Sequence, residues 1–168
     1  AMVVFRDAKP AKKEYRHFNV KTVEGPNDFA TMEEVVFRRY SRVVAEELDM
    51  PQLIVIDGGK GQLSAALKSL RKLGIDKKVT VIGIAKRLEE IYYPGDSVPL
   101  YLDKRSESLK IIQQLRDEAH RFGITFHRQK RNKATLSTEL EKVTGIGKIS
   151  ATKLLKQFKS VKNIRLAS

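Results

Sequence analysis

The chain has 168 residues, with 33 Lys or Arg against 20 Asp or Glu, a formal net charge of +13 and a pI near 10.0. It has no cysteine, which excludes a disulfide-stapled secreted scaffold and any thiolate zinc site. Hydrophobic residues make up 41%, enough for a packed core and too many for wholesale disorder.

A basic excess this large favours a polyanionic partner. Nucleic acid comes first, because release of counterions from phosphates drives such binding. A membrane partner is disfavoured: no apolar run approaches the roughly 20 residues that span a bilayer, and no basic amphipathic helix with exposed aromatics stands out. The opening Ala1-Met2-Val3-Val4-Phe5 is too short for a signal peptide and runs at once into charge, so the expected compartment is the cytoplasm.

In chain order, residues 2–6 read as a strand, Asp7-Ala8-Lys9-Pro10 as a turn, and residues 15–20 as the returning strand. Glu24-Gly25-Pro26-Asn27 breaks the chain. A helix is expected from about Asp28, with Met32, Val35, Val36, Val43 and Val44 at roughly helical spacing, ending before Pro51. Leu53-Ile54-Val55-Ile56 is a short, wholly apolar strand of the kind buried on both faces. Residues 61–73 read as a second helix stopped by Gly74, and residues 79–85 as another buried strand. Residues 88–102 read as a hairpin insertion around Pro94-Gly95-Asp96. A long helix follows from about Ser106 into the 120s, with Leu109, Ile112, Leu115, Ala119 and Phe122 on one face. The basic run from His127 to Lys133 reads as a linker. The expected division is thus residues 1–133, an α/β domain with helices flanking a mixed sheet, and residues 134–168, a small all-α tail.

Asp57 ends a buried strand and precedes two glycines, at the edge where open α/β sheets place their active sites. Its carboxylate suits a hard cation such as Mg²⁺ or Mn²⁺. Taken alone, the position fits an N-cap of the next helix equally well. Gly58-Gly59-Lys60-Gly61-Gln62 lacks the Walker spacing, which argues against an ATPase, although amides at that helix start, assisted by Lys60, could hold a phosphate. His120 lies beside the apolar stripe of its helix, where an imidazole could bind metal or move a proton. A solvent-facing histidine is the plainer reading, and it also serves for His17 and His127, with phosphate contact open to His127. Asp28 begins its helix, so capping is the plainer role for it. A second carboxylate near Asp57 would change that, because phosphodiester hydrolysis commonly uses acidic clusters to hold metals.

The stretch from Leu140 to Leu155 carries Gly145-Ile146-Gly147 between two short helical patterns. The glycines allow a tight hairpin whose amides, with Lys148 and Lys153, can grip a phosphate without reading sequence. Ile146 is the expected plug, with Val143, Ile149, Leu154 and Leu155 as the packing face. No second Gly-x-Gly follows, so the element is expected to be the first half of a tandem helix-hairpin-helix pair.

Taken together, Tyr15-Arg16-His17-Phe18, the segment from Thr22 to Ala30, Phe37-Arg38-Arg39-Tyr40, Ile56-Asp57-Gly58-Gly59-Lys60-Gly61-Gln62-Leu63 and Arg116-Asp117-Glu118-Ala119-His120-Arg121-Phe122 resemble the carboxyl-terminal half of the UvrC family. The His-Arg-x-x-Arg run at His127 and the hairpin at Gly145 also fit. The family is the incision subunit of bacterial nucleotide excision repair. The resemblance implies an RNase H-like fold with a helix-hairpin-helix tail, and a cut 5′ to a lesion in damaged duplex DNA that UvrA and UvrB have marked. It implies a metal-binding Asp-Asp-His group, with Asp57 as the second Asp, His120 as the His, and Asp28 as a further carboxylate. Lys60, Arg38 and Arg39 would then position the DNA strand, and the UvrB–DNA complex would be the partner. The family's first Asp precedes a strand like residues 2–6, so the expectation is an inactive chain lacking one strand and open to dimerisation along the exposed sheet edge. Two other readings are a DNA-binding module using the same scaffold without chemistry, and a nucleotide- or RNA-binding protein.

Overall fold

The computed structural model describes residues 1–23, 25, 27–85 and 90–167, and for residues 126–138 the backbone alone. The chain divides by compactness into Ala1–Ala119 and His120–Ser168.

The first unit opens with a small antiparallel ribbon, β1 (Phe5–Arg6) against β2 (Lys9–Pro10). Asp7 and Ala8 form its turn with φ of 50° and 59°, the positive values that match the twist of a two-residue hairpin. The returning strand expected over residues 15–20 does not form. The ladder ends where the Ala11 amide donates to the Val4 carbonyl at 2.8 Å, and a 3₁₀ turn (Lys12–Glu14) takes up the next residues. The chain comes back only as a single bridge between Arg16 and Met2. Tyr15, 8% exposed, donates from its hydroxyl to Glu118 Oε1 at 3.0 Å.

The main sheet has four strands in the order β3 (Leu53–Asp57), β4 (Thr80–Ile84), β5 (Glu90–Tyr92), β6 (Leu100–Tyr101). β3 and β4 are parallel, joined through helix α2 (Lys60–Lys72), while β5 and β6 fold back antiparallel. The hairpin expected as an insertion is therefore part of the sheet: β5 continues the ladder from β4. Residues 88 and 89, part of that reading, lie outside the described residues.

Helix α1 (Asp28–Ala45) and α2 cover one face. On α1 the buried positions are Val36, Tyr40 and Val43, with Met32 partly buried in line, a spacing of about one turn each. Tyr40 replaces Val44 in the expected stripe, since Val44 is 44% exposed. Ile54 and Ile56 of β3 and Val81 of β4 point into this layer with Leu63, Ala66, Leu67 and Leu70 of α2. Ser69, fully buried, ties the two helices by donating to the Glu33 carbonyl at 2.7 Å. On the other face Ile82, Ile84 and Ile91 pack against Ile112 of helix α3, with Val55 partly buried beside them. The result is the expected α/β architecture, RNase H-like, with a mixed sheet between helices.

α3 (Glu107–Glu141) is 35 residues long. The helix expected to stop in the 120s, and the linker expected over residues 127–133, are one continuous helical backbone. No Gly or Pro occurs between Ile124 and Glu141, so nothing there favours a break. The side chains of the His127–Lys133 run, including the phosphate contact open to His127, lie outside the described residues.

In the second unit, α3 ends at Glu141 and α4 (Lys148–Phe158) begins seven residues later. Gly145 has φ of 91°, a conformation that a side chain would strain. Leu140 is 5% exposed and Ala151 fully buried. These two, not Val143 (53% exposed) and Ile149 (76% exposed), form the inner face of the turn. Ile146, Leu154 and Leu155 are half-buried, as a plug and packing face require. A short α5 (Val161–Leu166) follows, capped by Ser160, which accepts from the Asn163 amide. Among the described residues, no helix is long and apolar enough to cross a membrane.

Candidate active site

The alternation of β3 sets the direction of Asp57. Ile54 and Ile56 face α1 and α2, so Val55 and Asp57 face the α3 side. The turn that follows is laid on β4. The Gly58 amide donates to the Ile84 carbonyl at 2.9 Å. A Cβ at Gly83 would meet the Gly58 carbonyl oxygen at 3.0 Å, so glycine is what allows the two backbones to approach. Asp57 does not cap α2. The cap position is Gly59, which has no side chain to offer, and Asp57 ends the strand.

Across from Asp57, on α3, stands Arg116. Its Nε lies 3.3 Å from Asp57 Oδ1, with the Arg116 side chain 20% exposed and that of Asp57 42%. A guanidinium thus already sits at the carboxylate expected to hold a cation. In the sequence Arg116 opens the Arg116–Phe122 motif with no role legible for it. The available signal was its place one turn before His120, since residues four apart share a helix face. His120 is exposed and opens the second unit.

Asp28 is the first residue of α1 and is exposed. Capping falls instead to Asn27, whose Oδ1 accepts from the Ala30 amide at 3.0 Å. The plainer reading of both carboxylates, as helix caps, therefore gives way. Phe29, next to Asp28, lies over Gly61 closely enough to leave no room for a Cβ there. The starts of α1 and α2 are in this way brought together beside the Asp57 loop.

Two of the basic residues expected to meet DNA, Lys60 and Arg38, are engaged with the protein. Lys60 donates to the Ser97 carbonyl and lies 5.4 Å from the centre of the Tyr92 ring, so it fastens the β5–β6 connection to the start of α2. Arg38 donates to the Asn19 carbonyl and to Glu34 Oε1, each at 2.8 Å, and lies 5.9 Å from the Phe18 ring centre. Arg39 is half-buried beside it. Glu34, missed in the sequence, is the hub of this arrangement. It accepts from the Thr22 hydroxyl at 2.6 Å and from the Thr22 and Lys21 amides at 2.9 and 3.0 Å. These bonds, the Thr22 hydroxyl first, hold its carboxyl down at about 2. A groove of about 590 Å³ between α1 and α2, lined by Phe29, Glu33, Ser64, Lys68 and Arg71, does not include Asp57. Asp57 lies instead at the end of β3, an outer strand in the sheet order. In the tail, Gly147 caps α4 with φ of −86° and open space around a would-be Cβ, and Lys148 is exposed.

Residues 1–124 match the family model of the UvrC RNase H endonuclease domain. The chain belongs to the UvrC family. UvrABC system protein C of Flavobacterium johnsoniae is 66% identical over 168 residues, all of this chain and 28% of that protein. The protein of the same name from Christiangramia forsetii is 65% identical over 168 residues, and that from Porphyromonas gingivalis strain W83 is 60% identical over 167. The chain thus spans 28% of the length of these UvrC relatives. Asp28, Asp57, Arg116 and His120 all fall inside the segment matched to the UvrC domain.

The donors at this edge can be weighed against the divalent cation expected from the sequence. Among the described residues no three His, Asp or Glu side chains stand together as a metal site. Mg²⁺, however, is commonly held by one or two carboxylates, with waters and substrate phosphates completing its shell. Asp57, half-exposed at the end of β3, fits that one-carboxylate role only where the Arg116 guanidinium yields Oδ1 to the cation.

Proposed function

We propose that this chain is the incising part of a nucleotide excision repair nuclease, which hydrolyses a phosphodiester of damaged duplex DNA on the 5′ side of the lesion with Mg²⁺ or Mn²⁺. One observation carries the reading: in a chain of the UvrC RNase H endonuclease family, the strand-end carboxylate Asp57 is not spent on capping and its side chain is 42% exposed at the end of β3.

In this reading Asp57 is a metal ligand, and His120 is a second ligand or proton carrier. Asp28 supplies a further carboxylate at the start of α1. The bound cation supplies water activation and stabilisation of the departing oxyanion. The chain's own part is placement. Gly58 and Gly83 lock the Asp57 turn onto β4, so the carboxylate cannot drift. Arg38 holds the segment leading to Asp28, Arg39 lies beside it on α1, and Lys60 holds the β5–β6 connection next to the glycine loop. Each can turn its remaining donors to phosphate. The turn at Gly145 and Gly147, with Lys148 at the start of α4, serves as a helix-hairpin-helix grip on the backbone that positions without reading sequence. DNA bound to UvrB is the proposed partner in the cytoplasm. β3, unpaired on its outer side among the described strands, is the edge by which two copies would associate; a concentration-independent monomer mass in light scattering would exclude that.

A competing reading is a DNA-binding platform without chemistry, which the Arg116 guanidinium on Asp57 favours. Mn²⁺-dependent nicking of duplex DNA separates the two. It should be assayed with this chain, with a version extended at its amino end, and with Asp57→Asn in each. Nicking that Asp57→Asn abolishes, by at least a hundredfold, is the expected result. Nicking unaffected by Asp57→Asn, or intact DNA binding without nicking in any version, would end the proposal.

A further inference from the structure

We infer that Arg116 guards Asp57: it neutralises the carboxylate in the metal-free protein and releases it to a DNA phosphate, so that metal loading is coupled to DNA arrival. The inference rests on the reading of Asp57 as a metal ligand and adds a positioning residue to it.

Three features of the ion pair carry it. The guanidinium reaches Asp57 Oδ1 at 3.3 Å, inside the space where a cation ligated by that oxygen would feel it most. Two positive charges at such separations repel strongly unless fully solvated, and Arg116 is only 20% exposed. A divalent cation approaching Asp57 therefore meets an unfavourable field while Arg116 stays. The pair is also asymmetric. Arg116 is anchored in the α3 layer, whereas Asp57 is 42% exposed at the strand end, so an incoming ligand reaches the pair from the Asp57 side. Finally, a phosphate is as good a partner for a planar guanidinium as a carboxylate, because both accept its paired N–H groups. A DNA backbone laid across the sheet edge offers Arg116 that alternative and leaves Asp57 to the cation. By linkage, whatever DNA does for metal affinity, metal must do for DNA affinity.

The test is Mn²⁺ binding by this chain, followed through the electron paramagnetic resonance signal of free Mn²⁺, with and without a short DNA duplex. Without DNA, Arg116→Gln and Arg116→Met should bind Mn²⁺ at least fivefold more tightly than the parent, while Arg116→Lys, which keeps the charge, should stay near it. With DNA, the parent should tighten several-fold, and the two neutral variants should tighten less. Circular dichroism confirms that each variant is folded, and the two neutral side chains guard against a failure of either one. Unchanged or weaker Mn²⁺ binding by both neutral variants overturns the guard. Asp57→Asn separates this from the underlying reading. If Asp57→Asn loses Mn²⁺ while the neutral Arg116 variants match the parent, only the guard fails; if Asp57→Asn binds Mn²⁺ like the parent, the metal role of Asp57 fails with it.

Discussion

Glu34 illustrates how much of this protein's local order hangs on single side chains. Its carboxylate, in a side chain 8% exposed, gathers the Thr22 hydroxyl, two backbone amides and Arg38, and is held at about 2 against an ordinary 4.5. A depressed carboxyl stabilises the fold fully above its unfolded value and loses that contribution as pH falls toward its folded value. The tie between residues 19–22 and α1 should therefore hold above pH 4.5 and open between about 4.5 and 2. Amide NMR shifts of Lys21 and Thr22 should titrate in that window, and in Glu34→Gln they should be displaced already at neutral pH and show no such titration. Flat shifts down to pH 2 in the parent would refute the tie. At this scale the sequence was partly legible. Asp57 could be singled out because a buried strand followed by two glycines is a strong local pattern. Whether Asp57 and Asp28 were caps could not be read, because capping depends on which residue takes the non-helical φ and ψ, and Asn27 and Gly59 took them. Arg116 and Glu34 act across 59 and 12 residues of chain, and no local pattern announces such pairs.

The elements followed their periodicities where a helix or strand had one buried face. α1, α2, β3 and β4 lie within a few residues of their expected bounds. The failures occurred where tertiary pairing decided. The β5–β6 hairpin joined β4 because Ile91 completes the α3-side layer, which its own short pattern could not reveal. The α3–α4 turn was legible as a glycine hairpin, but not which glycine matters conformationally. Gly145 holds φ of 91°, whereas Gly147 holds −86° with nothing within 4 Å of a would-be Cβ. Gly145→Val should thus cost the tail about 1–2 kcal/mol, as the left-handed backbone is unfavourable for a branched residue. Gly147→Ala should leave the tail's stability nearly unchanged. Thermal melts by circular dichroism check the first contrast. Fluorescence anisotropy with a labelled duplex checks its consequence: affinity should fall for Gly145→Val through loss of the hairpin, while any loss in Gly147→Ala reports on the amides at the start of α4. Equal melting behaviour of the two variants would show that the hairpin does not depend on Gly145.

For the whole molecule, the division of function follows charge. The bulk excess of +13 was the first clue to a polyanion, but composition cannot say where that charge meets DNA. The division by compactness at Ala119/His120 falls within α3, which runs through both units. In the first unit many cations are tied to carboxylates: Lys68 and Lys72 to Glu33, Arg38 to Glu34, Arg116 to Asp57. From Lys148 onward the chain instead carries Lys148, Lys153, Lys156, Lys159, Lys162 and Arg165 and not one Asp or Glu. Arg165 reaches back to Glu139 at 3.3 Å, and the lysines set the tail's field. If this tail supplies the backbone grip, the salt dependence of DNA binding should belong mostly to it. Each lysine on a phosphate contributes about −0.9 to the slope of log K against log salt. Replacing Lys148, Lys153 and Lys156 by Gln should flatten that slope by one unit for each of the three that touches phosphate. The loss of affinity should be the same for duplexes of unrelated sequence, because phosphate contacts carry no base information. Anisotropy titrations between 50 and 200 mM salt would decide it. A slope unchanged by the triple substitution would move the grip to the first unit, and a loss that depends on duplex sequence would mean that the tail reads bases.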